Sequence, residues 1–148
     1  MTLSSGDSAT HFANFVDPLV LHNEFGSLEK CLATSFTQDD NYSIFTIKIK
    51  EGVKWLRYDG SQYEAMIGGE LVPQYVSAND FITTAKTVLT QSNGSNTYYM
   101  YTKFIEGSAA YYHLSFIDYQ IAQGTKKYVN LAKNPQKLCD ELNKLILA

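Results

Sequence analysis

NYSIFTIKIKEGVKW, residues 41–55, is the stretch on which the fold turns. Residues 42–50 alternate in character, with Phe45, Ile47 and Ile49 on one side and Thr46, Lys48 and Lys50 on the other. A period of two is the mark of a strand with one buried face, so the three apolar residues are expected to point into a core. Upstream, Gln38-Asp39-Asp40-Asn41 has turn composition, and residues 33–37 read as the preceding strand. Further back, Asn23-Glu24-Phe25-Gly26 suits a turn between two short extended pieces, the first at residues 19–21. A short helix is expected before it, with Ser8 as cap and Phe12, Phe15 and Val16 on one face, ended by Asp17-Pro18.

Downstream, residues 53–58 can continue the sheet as far as Asp59-Gly60. Gly68-Gly69 then separates residues 63–67 from Leu71-Val72 in the manner of a hairpin turn. These glycines form no phosphate-cradling pattern, which would need a helix opening directly after them. Ser77, with Asp80 three residues on, marks a helix start, and Phe81, Ala85, Val88 and Leu89 supply an apolar face. The polar run 91–96, containing Asn93-Gly94, closes that helix and leads into Tyr98, Tyr99, Tyr101 and Phe104. A helix over residues 108–122 would align Leu114, Ile117 and Ile121. Asn134-Pro135 is a cap and first turn, followed by the amphipathic series Leu138, Leu142, Leu145 and Ile146. The expected class is α+β, a small mixed or antiparallel sheet with packed helices, in a single domain over residues 1–148.

Composition narrows the function. A chain of 148 residues, 45% hydrophobic and 14% aromatic, can bury one ordinary core. A net charge of -3, with Lys126-Lys127 as the nearest thing to a basic cluster, argues against nucleic acid as a partner. No apolar run approaches the roughly 18 to 20 residues of a membrane span, so the chain itself is expected to be soluble. Met1 followed by Thr2, Ser4 and Ser5 lacks the layout of a signal peptide and fits a segment excised from a longer protein. Cys31 and Cys139 have no metal or redox spacing and are expected to be buried thiols, although an exported parent could pair them. His11, His22 and His113 do not fall at ligand spacings, and Asp39-Asp40 reads as turn chemistry rather than paired acids. No catalytic residue, metal site or cofactor is indicated, and the chain is read as a non-enzyme.

Five further segments, taken with residues 41–55, carry a resemblance. Residues 13–20, ANFVDPLV, resemble a helix running into an Asp-Gly-Leu entry, with Pro18 in place of the glycine. Glu24-Phe25-Gly26-Ser27-Leu28 followed by Cys31-Leu32-Ala33-Thr34-Ser35-Phe36 resembles a second motif, in which Cys31 sits near a usual proline and Phe36 replaces a tryptophan. Residues 42–55 give the closest match, ending on Gly52-Val53-Lys54-Trp55. Val76-Ser77-Ala78-Asn79-Asp80-Phe81 and Ile105-Glu106-Gly107-Ser108-Ala109-Ala110-Tyr111 follow in order. The family that these segments resemble is the extracellular solute-binding proteins that deliver oligopeptides to ABC importers. The longer link over residues 56–75 is similar to that of Gram-positive members. The similarity covers about residues 13–112 and fades from Leu114 onward.

The resemblance implies one domain of a two-lobed, periplasmic-binding-protein-like fold, part of a lipoprotein held at the cell surface. Its implied partners are an oligopeptide, an ABC permease and the remaining domains of the parent chain. On this reading the chain shapes one wall of a peptide cleft, and Tyr98 and Tyr99 are the candidate ligand contacts. Tyrosine pairs a flat apolar face with a hydroxyl, which suits sequence-tolerant contact with a peptide backbone. The alternative for both is a strand residue half buried against the sheet. Trp55 is the third candidate, with a core anchor as its alternative. The other function class is a structural or interaction module that never contacts ligand.

Overall fold

A computed structural model describes residues 16–147, and the expected Ser8-capped helix with Phe12 and Phe15 lies outside them. The described chain is α+β, with three two-stranded antiparallel sheets and five α-helices. It divides into two compact units, residues 16–81 and residues 82–147.

The first unit is a series of hairpins. Strand β1 (Val20–His22) pairs with β2 (Leu28–Lys30) across a turn in which the Asn23 side-chain oxygen accepts from the N–H groups of Phe25 and Ser27. Strand β3 (Ala33–Gln38) pairs with β4 (Phe45–Ile49), in a register that sets Phe36 opposite Ile47 and slips by one residue between Ala33 and Ser35. The turn between them is built on Asp39, whose carboxylate accepts from Ser43 N–H, Ser43 Oγ and Ile44 N–H. That wrap holds Tyr42 at φ +57°, an uncommon conformation for a side chain of its size. Strand β5 (Glu64–Ile67) pairs with β6 (Glu70–Pro73) across Gly68 and Gly69, both at positive φ, as a tight two-residue hairpin turn requires.

Two expectations for this unit need correction. Residues 53–58 form no strand; only the isolated bridges Lys54 to Tyr75 and Leu56 to Gln62 tie them to the β5–β6 hairpin. The alternation of β4 is present, but its apolar side is not core: Phe45 is 51% exposed and Ile47 36%. Phe36, 47% exposed, meets Phe45 at 5.4 Å between ring centroids with the planes tilted by 34°, so the face is clustered yet uncovered. A two-stranded ribbon has no second layer to bury against, and within this unit Leu32 and Ala33 are the buried apolar residues.

Helix α1 (Ala78–Leu89) starts where Ser77 and Asp80 place it, but the cap is carried by the acid. The Asp80 carboxylate accepts from Ser77 N–H at 2.7 Å and from Ser77 Oγ at 3.2 Å. A 3-10 turn at Gln91–Asn93 follows, and then α2 (Tyr98–Phe104), α3 (Ser108–Ala122), α4 (Lys126–Leu131) and α5 (Pro135–Leu147). Helix α3 is the hub of the second unit, packing on α2, the 3-10 turn, α4 and α5. Ile117 on α3 is fully buried, and Leu89 and Tyr128 are buried too, with Phe116 meeting Tyr128 edge to face. Leu114, expected on the same apolar face, is instead 44% exposed. Asn134 caps α5, its side chain accepting from Lys137 N–H. Among the described residues, no helix is long and apolar enough to cross a membrane.

Candidate functional site

Tyr98 and Tyr99 open helix α2, so neither is a strand residue. Their placement depends on the loop before them. Gly94 takes a left-handed conformation and ends the 3-10 turn, and the buried Ser95 hydroxyl pairs with Thr97 Oγ1 at 3.0 Å. Gln91 N–H donates to Ser115 Oγ at 2.8 Å, which fastens the turn to α3. At the far end of α2, Gly107 in a left-handed conformation precedes α3, and the buried Ser108 hydroxyl donates back to Tyr101 O at 2.8 Å and to Ile105 O. The C-terminal end of α2 and the 3-10 turn ahead of it are thereby both clamped to α3.

The clamp brings Tyr98 flat against Tyr112 of α3, with centroids 4.2 Å apart and planes 1° from parallel. Tyr99 meets Tyr98 at 84°, and at 52% exposure it projects its ring into solvent. Between this pair and the 3-10 turn lies a recess of about 140 Å³, lined by Val88, Thr90, Gln91, Gly94, Ser95, Asn96, Tyr98 and Tyr112. Burial, followed by the neighbouring Tyr98 hydroxyl, pushes Tyr112 up to about 12, so it remains a neutral phenol at any physiological pH. Beside it, burial lowers His113 below the usual imidazole range, which favours a neutral ring there as well. The lining thus offers aromatic faces, hydroxyls and amides, with no carboxylate and no cation.

Trp55 belongs to the first unit. Its backbone N–H donates to Gln74 O at 3.1 Å, and its carbonyl accepts from Tyr63 N–H at 2.7 Å, so the backbone on either side is pinned to the β5–β6 hairpin. The indole is 42% exposed, which excludes the role of a core anchor within this unit. Of the candidates, Tyr98 lies in the recess, Tyr99 stands beside it, and Trp55 lies outside it. Tyr112 is the residue that sequence reading passed over. The clue was its place one residue after the Ile105-to-Tyr111 motif, on a helix whose aliphatic series Leu114, Ile117 and Ile121 is the more obvious pattern.

Of the other residues weighed from the sequence, His11 lies outside the described residues. His22 Nδ1 lies 3.0 Å from Gly26 O in the β1–β2 turn. The carboxyl of Asp39 is held below the usual carboxylate range, first by the Ile44 and Ser43 bonds of its own turn. Cys31 and Cys139 are free thiols, the first half-buried and the second exposed, so the expectation of two buried thiols fails. No cluster of three or more metal-ligating side chains occurs among the described residues. Comparison with protein-family models, with curated proteins and with solved structures finds no match to this chain.

Proposed function

We propose that this chain is part of an oligopeptide-binding protein that captures peptides outside the cell for an ABC importer, and that it contributes one wall of the binding cleft. The observation that supports this best is the neutral, aromatic recess at Tyr98 and Tyr112. At about 140 Å³ it is well short of an ordinary drug-sized pocket of roughly 300 to 1,000 Å³ and is the size of one peptide group or short side chain. Uncharged hydroxyl and amide groups beside a flat ring suit a backbone amide, which every peptide carries, over any particular charged ligand. The ordered motifs over residues 13–112 point the same way.

A single wall leaves a bound peptide largely hydrated, and the freedom lost on association is then poorly offset. The chain alone is therefore expected to bind weakly or not at all, and the longer parent tightly. Calorimetric titration of both with a mixed oligopeptide library tests this. Micromolar or tighter binding by the chain alone would overturn the one-wall reading. Unaltered affinity of the parent after Tyr98→Ala plus Tyr99→Ala would assign the tyrosines to packing.

A second reading, an interaction module that does not touch ligand, is favoured by the uncovered Phe36, Phe45 and Ile47 face of the β3–β4 hairpin. On that reading the remaining domains of the parent cover this face, and Phe45→Ser in the parent lowers its stability while leaving peptide affinity unchanged.

A further inference from the structure

The outer face of α3 borders a second, larger groove of about 390 Å³, separate in its lining from the tyrosine recess except for Thr90. Tyr111, Leu114, Ser115, Asp118 and Tyr119 recur at helical spacing along one side of it, and Ser92 of the 3-10 turn stands on the other. The Gln91 N–H to Ser115 Oγ bond ties the two walls together, so the groove is a built feature rather than a gap between loose segments.

Its chemistry is uneven. Leu114, 44% exposed, and the two tyrosines make it mostly apolar, while Asp118 supplies the one charged group of the lining. No Lys or Arg lines the groove, and Asp118 makes no ion pair among the described residues. A lining that carries one carboxylate and two tyrosines attracts an organic cation. The ring quadrupoles and the carboxylate favour the same sign of charge, and the apolar floor accepts an alkyl stem. A neutral ligand would forgo the first two contributions, and an anion would be repelled.

We infer that this groove is a binding site for a primary alkylammonium group, its head at Asp118 and its stem along Leu114 and Tyr111, which precede Asp118 by one and two turns on the same helix face. The site is distinct from the one proposed for peptide capture at Tyr98, since the recess there is neutral and shares only Thr90 with this lining.

The test uses the full 148-residue chain. n-Butylammonium chloride is titrated into labelled protein and amide shifts are followed, with n-butanol as the uncharged analogue of similar shape. The expected result is saturable, millimolar binding with shifts centred on Tyr111, Leu114 and Asp118, weakened on the order of fivefold both for butanol and in Asp118→Asn. Asp118→Glu, which keeps the charge, restores most of the affinity. Equal shifts from butanol and butylammonium would overturn the proposal without any variant being needed, as would shifts that never saturate. So would a concentration-dependent dimer seated on this face, released by Leu114→Ser and indifferent to butylammonium.

Discussion

Ile117→Ala probes whether the second unit is organised around one buried position of α3. Ile117 is wholly inaccessible to solvent. The substitution removes three carbons, worth about 2.5 kcal/mol at roughly 0.8 kcal/mol per buried methylene. Incomplete collapse of the cavity adds to this, so a loss of about 3 kcal/mol is expected, inside the usual range for such changes. Leu114→Ala, one helical turn away, removes a side chain that already keeps 44% of its exposure and leaves no closed cavity. Its expected cost is about 1 kcal/mol or less. Urea unfolding followed by helical circular dichroism measures both. A domain with stability near the low end of the usual range, about 5 kcal/mol, would lose more than half of it in the first variant and little in the second. Equal losses at the two positions, or a loss under about 1 kcal/mol for Ile117→Ala, would refute the assignment of the core to Ile117.

Asp80→Ala is expected to cost about 1 kcal/mol in the same urea assay through the lost start of α1; Ser77→Ala should cost less, because the carboxylate keeps its bond to the Ser77 N–H. Ile47→Asp should leave the chain folded, with an unchanged circular dichroism spectrum, because Ile47 is already 36% exposed and the new charge stays hydrated. Tyr112 is raised to about 12 in the folded chain, above the ordinary phenol value of about 10. Its contribution to stability is therefore complete below about pH 10 and lost as pH rises through 12, and Tyr112→Phe should flatten the alkaline limb of a stability-against-pH curve. Asp39 is shifted the other way, so its contribution is present above about pH 4 and lost as pH falls through its lowered value; Asp39→Asn should weaken the acid dependence of unfolding.

The sequence by itself determined most of the local elements, the strand expected over residues 53–58 being an exception. Hairpin turns at Asn23, Asp39 and Gly68-Gly69, the start of α1 at Ser77-Asp80, α3, and the Asn134 cap of α5 all stand where residue chemistry placed them. Each depends on bonds between residues a few positions apart, and those are written in the order of the chain. Helices α2 and α4 were not legible, being elements of seven and six residues, too short to show a period. Burial was decided by tertiary structure alone. Alternation in β4 named the apolar side correctly but could not say that nothing lies over Phe45 and Ile47, because a covering layer comes from residues distant in sequence or outside the chain. The same holds for the site. Tyr98 was legible as a candidate, yet its stacking on Tyr112, the Gln91 to Ser115 tie and the separation of Leu114 from Ile117 follow from how α2 and the 3-10 turn dock on α3. Local hydrogen bonds select the conformation of a segment, whereas packing selects which of its faces meets another, and that second choice needs both partners in place.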